Sequence, residues 1–130
     1  MTQQLTFSKK EKLKSKKLID ALFVEGTSVK AFPLRVVFLE TPLPYPDITI
    51  QTGVSVSKRN HKLAVTRNRI KRLMREAYRN HKYLVDTKGT TFALLIIYTG
   101  RDIVTYPDME RAMIKVLKRF NDATTTTSSS

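Results

Sequence analysis

The seven residues 92–98, FALLIIY, have no polar group before the terminal tyrosine hydroxyl, so neither face of an extended segment here is made for water. Successive side chains of a strand point to opposite faces, and a run that is apolar on both belongs inside a sheet covered on each side. At 130 residues and 41% hydrophobic, one domain can supply that cover. Residues 15–26 read as a short helix. Ser15 is its N-cap, Leu18, Ile19, Leu22 and Phe23 form its apolar side, and Gly26 is its stop. A last helix starts near Pro107, with Asp108 and Glu110 in its first turn. It turns Met109, Met113, Val116, Leu117 and Phe120 inward and ends in Lys118 and Arg119. Residues 28–40 are extended, with a break or edge at Pro33, and the run TPLPYPD is a loop because its prolines cannot donate to a ladder. In the next strand Ile48, Ile50, Val54 and Val56 share one face, and Thr49, Gln51, Gly53, Ser55 and Ser57 form a small polar face. A turn falls at Lys88 and Gly89. The order is helix, two or three strands, helix, strand, helix, an α/β or α+β arrangement of two layers with one sheet.

The middle helix carries the charge. Residues 58–82 hold ten Lys or Arg and one acid, Glu76, so this stretch has +9 of the formal +13. Ile70, Leu73, Met74, Ala77 and Tyr78 recur at helical spacing and form a stripe for the core. Around the rest of the helix, at about 100° per residue, come Arg67, Lys71, Arg75 and Arg79, with Asn68 and Arg72 among them and Arg69 on the far flank. A merely solvated face mixes signs, since opposite charges four apart help and like charges cost. Here only Arg72 and Glu76 make such a pair. With Thr66 as N-cap, Arg67 and Arg69 fall in the first turn, where cations are unfavourable unless an anion binds the free amides and the guanidinium forks. The face is therefore expected to meet a polyanion.

Composition narrows the partner. A pI near 10.2 makes nucleic acid the leading ligand, because cations that neutralise phosphates release condensed counterions. A membrane-surface helix would keep its apolar stripe free for lipid, whereas this stripe has strands to cover it. No apolar run approaches the roughly 20 residues that span a bilayer. The basic N-terminus lacks the apolar core of a secretory signal, and the absence of Cys suits the cytoplasm. The eleven acids are scattered, so no catalytic or metal-binding residue is expected from this chain. His61 and His81 read as polar surface groups or RNA contacts, and Tyr78 and Phe120 as core. Residues 1–14 are expected to be a flexible basic segment and 122–130 a disordered Thr/Ser tail, with the folded domain between them at 15–121. Charge alone fits any RNA-binding protein, a ribosomal or assembly protein included.

The motifs go further. Ser57-Lys58-Arg59, Ala64-Val65, Arg67-Asn68-Arg69, Lys71-Arg72 and Arg75-Glu76, with the flanking elements, resemble the protein subunit of bacterial ribonuclease P over roughly residues 13–120. The resemblance implies an αβββαβα sandwich with a single four-stranded sheet and a left-handed crossover through the basic helix. It also implies a role in Mg²⁺-dependent endonucleolytic removal of the 5′ leader from precursor tRNA. The catalytic RNA would carry the chemistry and most of the Mg²⁺, with no organic cofactor and no further protein partner. By the same resemblance Lys58, Arg59, Lys62, Arg67, Asn68, Arg69, Lys71, Arg72 and Arg75 bind RNA, and Phe23, Ile19, Gln51 and Ser55 belong to a leader cleft. The chain departs from the family's pattern at three places. Before Ala64-Val65, where many members have Gly-Asn, this chain has Asn60-His61-Lys62-Leu63 in a segment one residue longer, Ile19 stands where a second cleft aromatic is common, and Val37 stands where other members place a Tyr.

Overall fold

In the computed structural model, which describes residues 8–128, the strands are β1 (Thr27–Ala31), β2 (Leu34–Glu40), β3 (Ile50–Val56) and β4 (Phe92–Tyr98). The helices are α1 (Lys16–Glu25), α2 (Ala64–His81) and α3 (Tyr106–Ser128). FALLIIY is an inner strand of one sheet ordered β1-β2-β4-β3. β2 runs antiparallel to β1 and β4, while β3 lies parallel to β4, so α2 is the crossover between two neighbouring parallel strands.

Both faces of β4 are covered, as its composition requires. On one side Leu94 and Ile96 join Val36 and Phe38 of β2 beneath α2 and α3, whose Ile70, Met74, Met113, Leu117 and Phe120 are fully buried. The Phe120 ring meets Phe38 and Phe92 edge-on, with centroids 4.8 and 5.3 Å away. On the other side Ala93 and Leu95, with Val37, are capped by Leu22 of α1 and by Leu13. The expected two layers thus gain a partial third.

Local signals explain the ends of α1. Ser15 Oγ accepts from the Leu18 amide at 3.2 Å, and the Gly26 amide closes on Leu22 O at 2.9 Å. A Cβ at Gly26 would lie 2.3 Å from that carbonyl oxygen and 2.8 Å from Val37 Cγ1, so only glycine lets the chain turn this close to the sheet. Lys88 and Gly89 make the expected turn with φ of 55° and 82°.

Four boundaries differ from expectation. α2 starts at Ala64, with Leu63 and not Thr66 at the N-cap position and no side-chain cap. β3 begins at Ile50, and Ile48 stays in the loop with its amide on Tyr45 O at 3.1 Å. Residues 8–14 are not a loose arm. A 3-10 turn, Lys9–Glu11, leads into a bridge between Lys12 and Thr52 on the free edge of β3, and Leu13 is buried. Finally, α3 does not stop at Arg119. Asn121 accepts from the Asp86 amide and donates to Leu84 O, Ala123 packs on the core and Thr124 Oγ1 bonds back to Phe120 O, so residues 122–128 continue the helix where a disordered tail was expected. Residues 1–7 and 129–130 lie outside the described residues.

Candidate nucleic-acid interface

The phase of α2 divides it cleanly. Ile70, Met74, Ala77 and Tyr78 are buried, Leu73 only partly, and Asn68, Arg69, Arg72 and Arg75 are exposed, with Lys71 half-buried. Glu76 pairs with Arg79 and not with the expected Arg72. A concavity of about 520 Å³ opens on this side, lined by Lys12, Asn68, Arg72, Arg75, Glu76 and Arg79. Lys12 was not foreseen there. It is held by the Leu13 amide on Thr52 O at 3.0 Å, and the same segment is tied to the end of α2 by Glu11 and Lys82 at 2.6 Å. The sequence did carry a signal: Leu13 is the only large apolar residue between positions 8 and 17, which marks a docking point in an otherwise polar run.

The start of α2 is built differently from the expectation. With Ala64 as the first helical residue, Arg67 and Arg69 are beyond the first three positions, and the argument from first-turn cations falls away. Arg67 is half-buried and donates from Nη1 to His61 O at 2.9 Å and Lys62 O at 2.8 Å. His61 is no surface group: it is buried, and its Nε2 lies 2.8 Å from Gly100 O. His81 is likewise engaged, with Nε2 2.7 Å from Glu110 Oε2, linking α2 to α3. Lys58, Arg59 and Lys62 remain exposed in the loop that joins β3 to α2.

A second surface lies between α1 and the opposite face of the sheet. Phe23 is 63% exposed, so it does not belong to the core; Ile19 is half-buried against the cluster of Leu13, Leu22 and Leu95. Gln51 cannot serve as open cleft floor. It is buried beneath the N-terminal segment, and its Nε2 donates to Lys10 O at 2.9 Å. Leu13 also sits over Gly53, where a Cβ would be 3.5 Å from the Leu13 carbonyl. Ser55 stays half-buried at the other end of the strand, in the row it shares with Ile97 and Arg35. Val37, in place of the family's Tyr, is buried under α1. Among the described residues no group of three or more His, Cys, Asp or Glu gathers that could hold a metal ion. Among the same residues no helix is long and apolar enough to cross a membrane.

A mixed four-stranded sheet, a cationic crossover helix and a partly apolar surface beside α1 define a small α+β protein that presents a basic face. The sequence profile of the family Ribonuclease P matches residues 7–121. The chain is 36% identical over 130 residues to a ribonuclease P protein component from Porphyromonas gingivalis, covering 92% of this chain and 90% of the relative. It is 46% identical over 103 residues to that of Chlorobium phaeobacteroides, covering 71% and 70%. Its fold matches the RNase P protein of Staphylococcus aureus with a TM-score of 0.68 at 23% identity, over 85% of this chain and 94% of the other. The RNase P protein from Thermotoga maritima gives 0.67 at 23%, over 84% and 96%. The chain belongs to the ribonuclease P protein family. It is thus a protein subunit of a tRNA-processing ribonucleoprotein endonuclease, and the ribosomal or assembly-protein alternative is set aside.

Proposed function

We propose that the exposed side of α2, together with Lys12 and the loop at 57–63, binds the catalytic RNA, and that the surface beside α1 receives the single-stranded 5′ leader of precursor tRNA. The RNA subunit carries the phosphodiester chemistry and holds the Mg²⁺, and no group of this chain serves as acid, base or nucleophile. The subunit works in the cytoplasm, with catalytic RNA and precursor tRNA as its partners and no further protein or membrane. One observation carries the reading: Asn68, Arg69, Arg72 and Arg75 are exposed together on a helix that buries Ile70, Met74, Ala77 and Tyr78 on its other side. Guanidinium forks suit phosphate oxygens, and several on one rigid helix fix the register of an RNA backbone without reading its sequence. The half-exposed cleft residues support sequence-tolerant leader binding, because every unpaired base offers a face for Phe23 to stack on.

The test is to replace Arg69, Arg72 and Arg75 singly by Ala and to measure affinity for the catalytic RNA and thermal stability together. Each change should weaken binding by roughly 1.5 to 3 kcal/mol, the range for a hydrogen bond to a charged group. Stability should stay within about 0.5 kcal/mol of wild type, since the side chains lie off the buried stripe. Three variants that all bind like wild type would remove α2 from the interface.

A further inference from the structure

The loop at 57–63 looks, by composition, like a flexible cationic arm, yet it is tied to the body of the protein at several points. Asn60 Nδ2 donates to Thr99 O at 3.2 Å. The ring of His61 lies 2.8 Å from Gly100 O through Nε2 and, because a carbonyl only accepts, that nitrogen carries the proton. Arg67 reaches back from α2 to His61 O and Lys62 O at 2.9 and 2.8 Å, and the His61 amide donates to Ser57 O at 3.1 Å. β3 and β4 are parallel, so this loop and the segment at 99–102 leave the sheet at the same end. Gly100 is itself wedged in place, since a Cβ there would lie 3.0 Å from Pro33 Cβ and 3.1 Å from the Tyr98 hydroxyl. Its neighbour Thr99 is tied to Pro33 O through its amide at 2.8 Å. Between the loop's anchors Lys58, Arg59 and Lys62 are exposed.

We infer that Arg67 is a positioning residue: its guanidinium fixes the loop so that Lys58, Arg59 and Lys62 form a preset cationic platform at the carboxyl ends of β3 and β4. This rests on the proposed RNA interface but gives Arg67 a different task from Arg69, Arg72 and Arg75. Three cations within five residues repel one another, and an unanchored loop would have to be ordered when RNA arrives. Arg67 removes that cost beforehand. One planar donor group serving two successive carbonyls is work for which arginine is better shaped than lysine.

The experiment has two parts. In the free protein, amide hydrogen exchange of Arg67→Ala should speed up at 58–63, the His61 amide above all, while the buried part of α2 from Ile70 onward and β4 stay protected. In binding to the catalytic RNA of the same organism, Arg67→Ala is compared in the wild-type background and in a Lys58→Ala, Arg59→Ala, Lys62→Ala background. The expected losses are about tenfold in the first and less than about twofold in the second, because residues that act through one another do not add. An equal loss in both backgrounds, or unchanged exchange, overturns the inference and returns Arg67 to direct phosphate contact. Asn60→Ala removes another anchor without touching α2 and should reproduce both effects; a loosened loop with unchanged RNA affinity would also overturn it. Failure of the wild-type protein to bind the catalytic RNA would instead refute the underlying interface.

Discussion

Leu22 and Phe23 are neighbours on α1, yet Leu22 is 1% exposed and Phe23 63%. Helical spacing places both with Leu18 and Ile19, but a ten-residue helix on the narrow sheet face covers only the centre of its stripe. Phe23→Ala should therefore cost no more than about 0.5 kcal/mol of stability, against the roughly 3 to 5 kcal/mol of an emptied core site. It should weaken precursor tRNA binding by about 1 to 3 kcal/mol, with mature tRNA affected much less. Melting temperature and the precursor-to-mature affinity ratio in one variant check this, and a destabilised protein with an unchanged ratio would contradict it. Tyr78 shows the opposite case. Burial pushes its hydroxyl up to about 12 from 10.0, Glu11 adds to the rise, and the hydrogen bond from Thr52 at 2.9 Å opposes it. Between those values the folded chain keeps a proton that the unfolded chain has lost, so the stability present below pH 10 is lost as pH rises toward 12. The loss is on the order of 2 to 3 kcal/mol. Tyr78→Phe should lose less stability over that range in chemical denaturation, and parallel curves for the two proteins would contradict the assignment. His61 and Gln51 were misread from sequence for a shared reason: their partners are backbone carbonyls 39 and 41 residues away, which local patterns do not encode.

Periodicity works best on elements. The strand at 92–98, the stripe of α2 and the inward residues of α3 follow from spacing alone, because burial of one face is what makes these elements form. Ends were harder to read. Leu63 and Thr66 differ as caps by one turn, and the position was decided by the loop anchors, not by a capping side chain. The continuation of α3 depends on Asn121 meeting Leu84 O and the Asp86 amide, a tertiary contact hidden in a polar sequence. Within α2 the stripe is graded, which gives a test of phase. Ile70→Asp places a charge at a fully buried position and should abolish cooperative folding, whereas Leu73, only partly buried, can turn a carboxylate toward solvent and should lower the melting temperature without unfolding the domain. Thermal circular dichroism compares the two, and equal effects would mean that the helix is rotated from this phase.

At the scale of the molecule, faces were legible but neighbours were not. Alternation told which residues of β3 share a side, yet only the resemblance to a known family indicated that the basic helix is a crossover between β3 and β4 in one sheet; the pairing then proved parallel. The same holds for the interface. Charge marked α2, but Lys12 reaches it only because the N-terminal segment runs along the edge of β3 and brings a distant cation to the concavity. The result is a scaffold with two separate surfaces, a cationic one on α2 and a partly apolar one beside α1. The proposed function gives these surfaces to two RNAs and leaves the bond-breaking to the catalytic RNA. The direct test is cleavage of precursor tRNA at low Mg²⁺ by the catalytic RNA of the same organism, with the protein added or left out. The protein should raise the rate of leader removal and cleave nothing alone; an unchanged rate, or cleavage by the protein without RNA, would contradict the account.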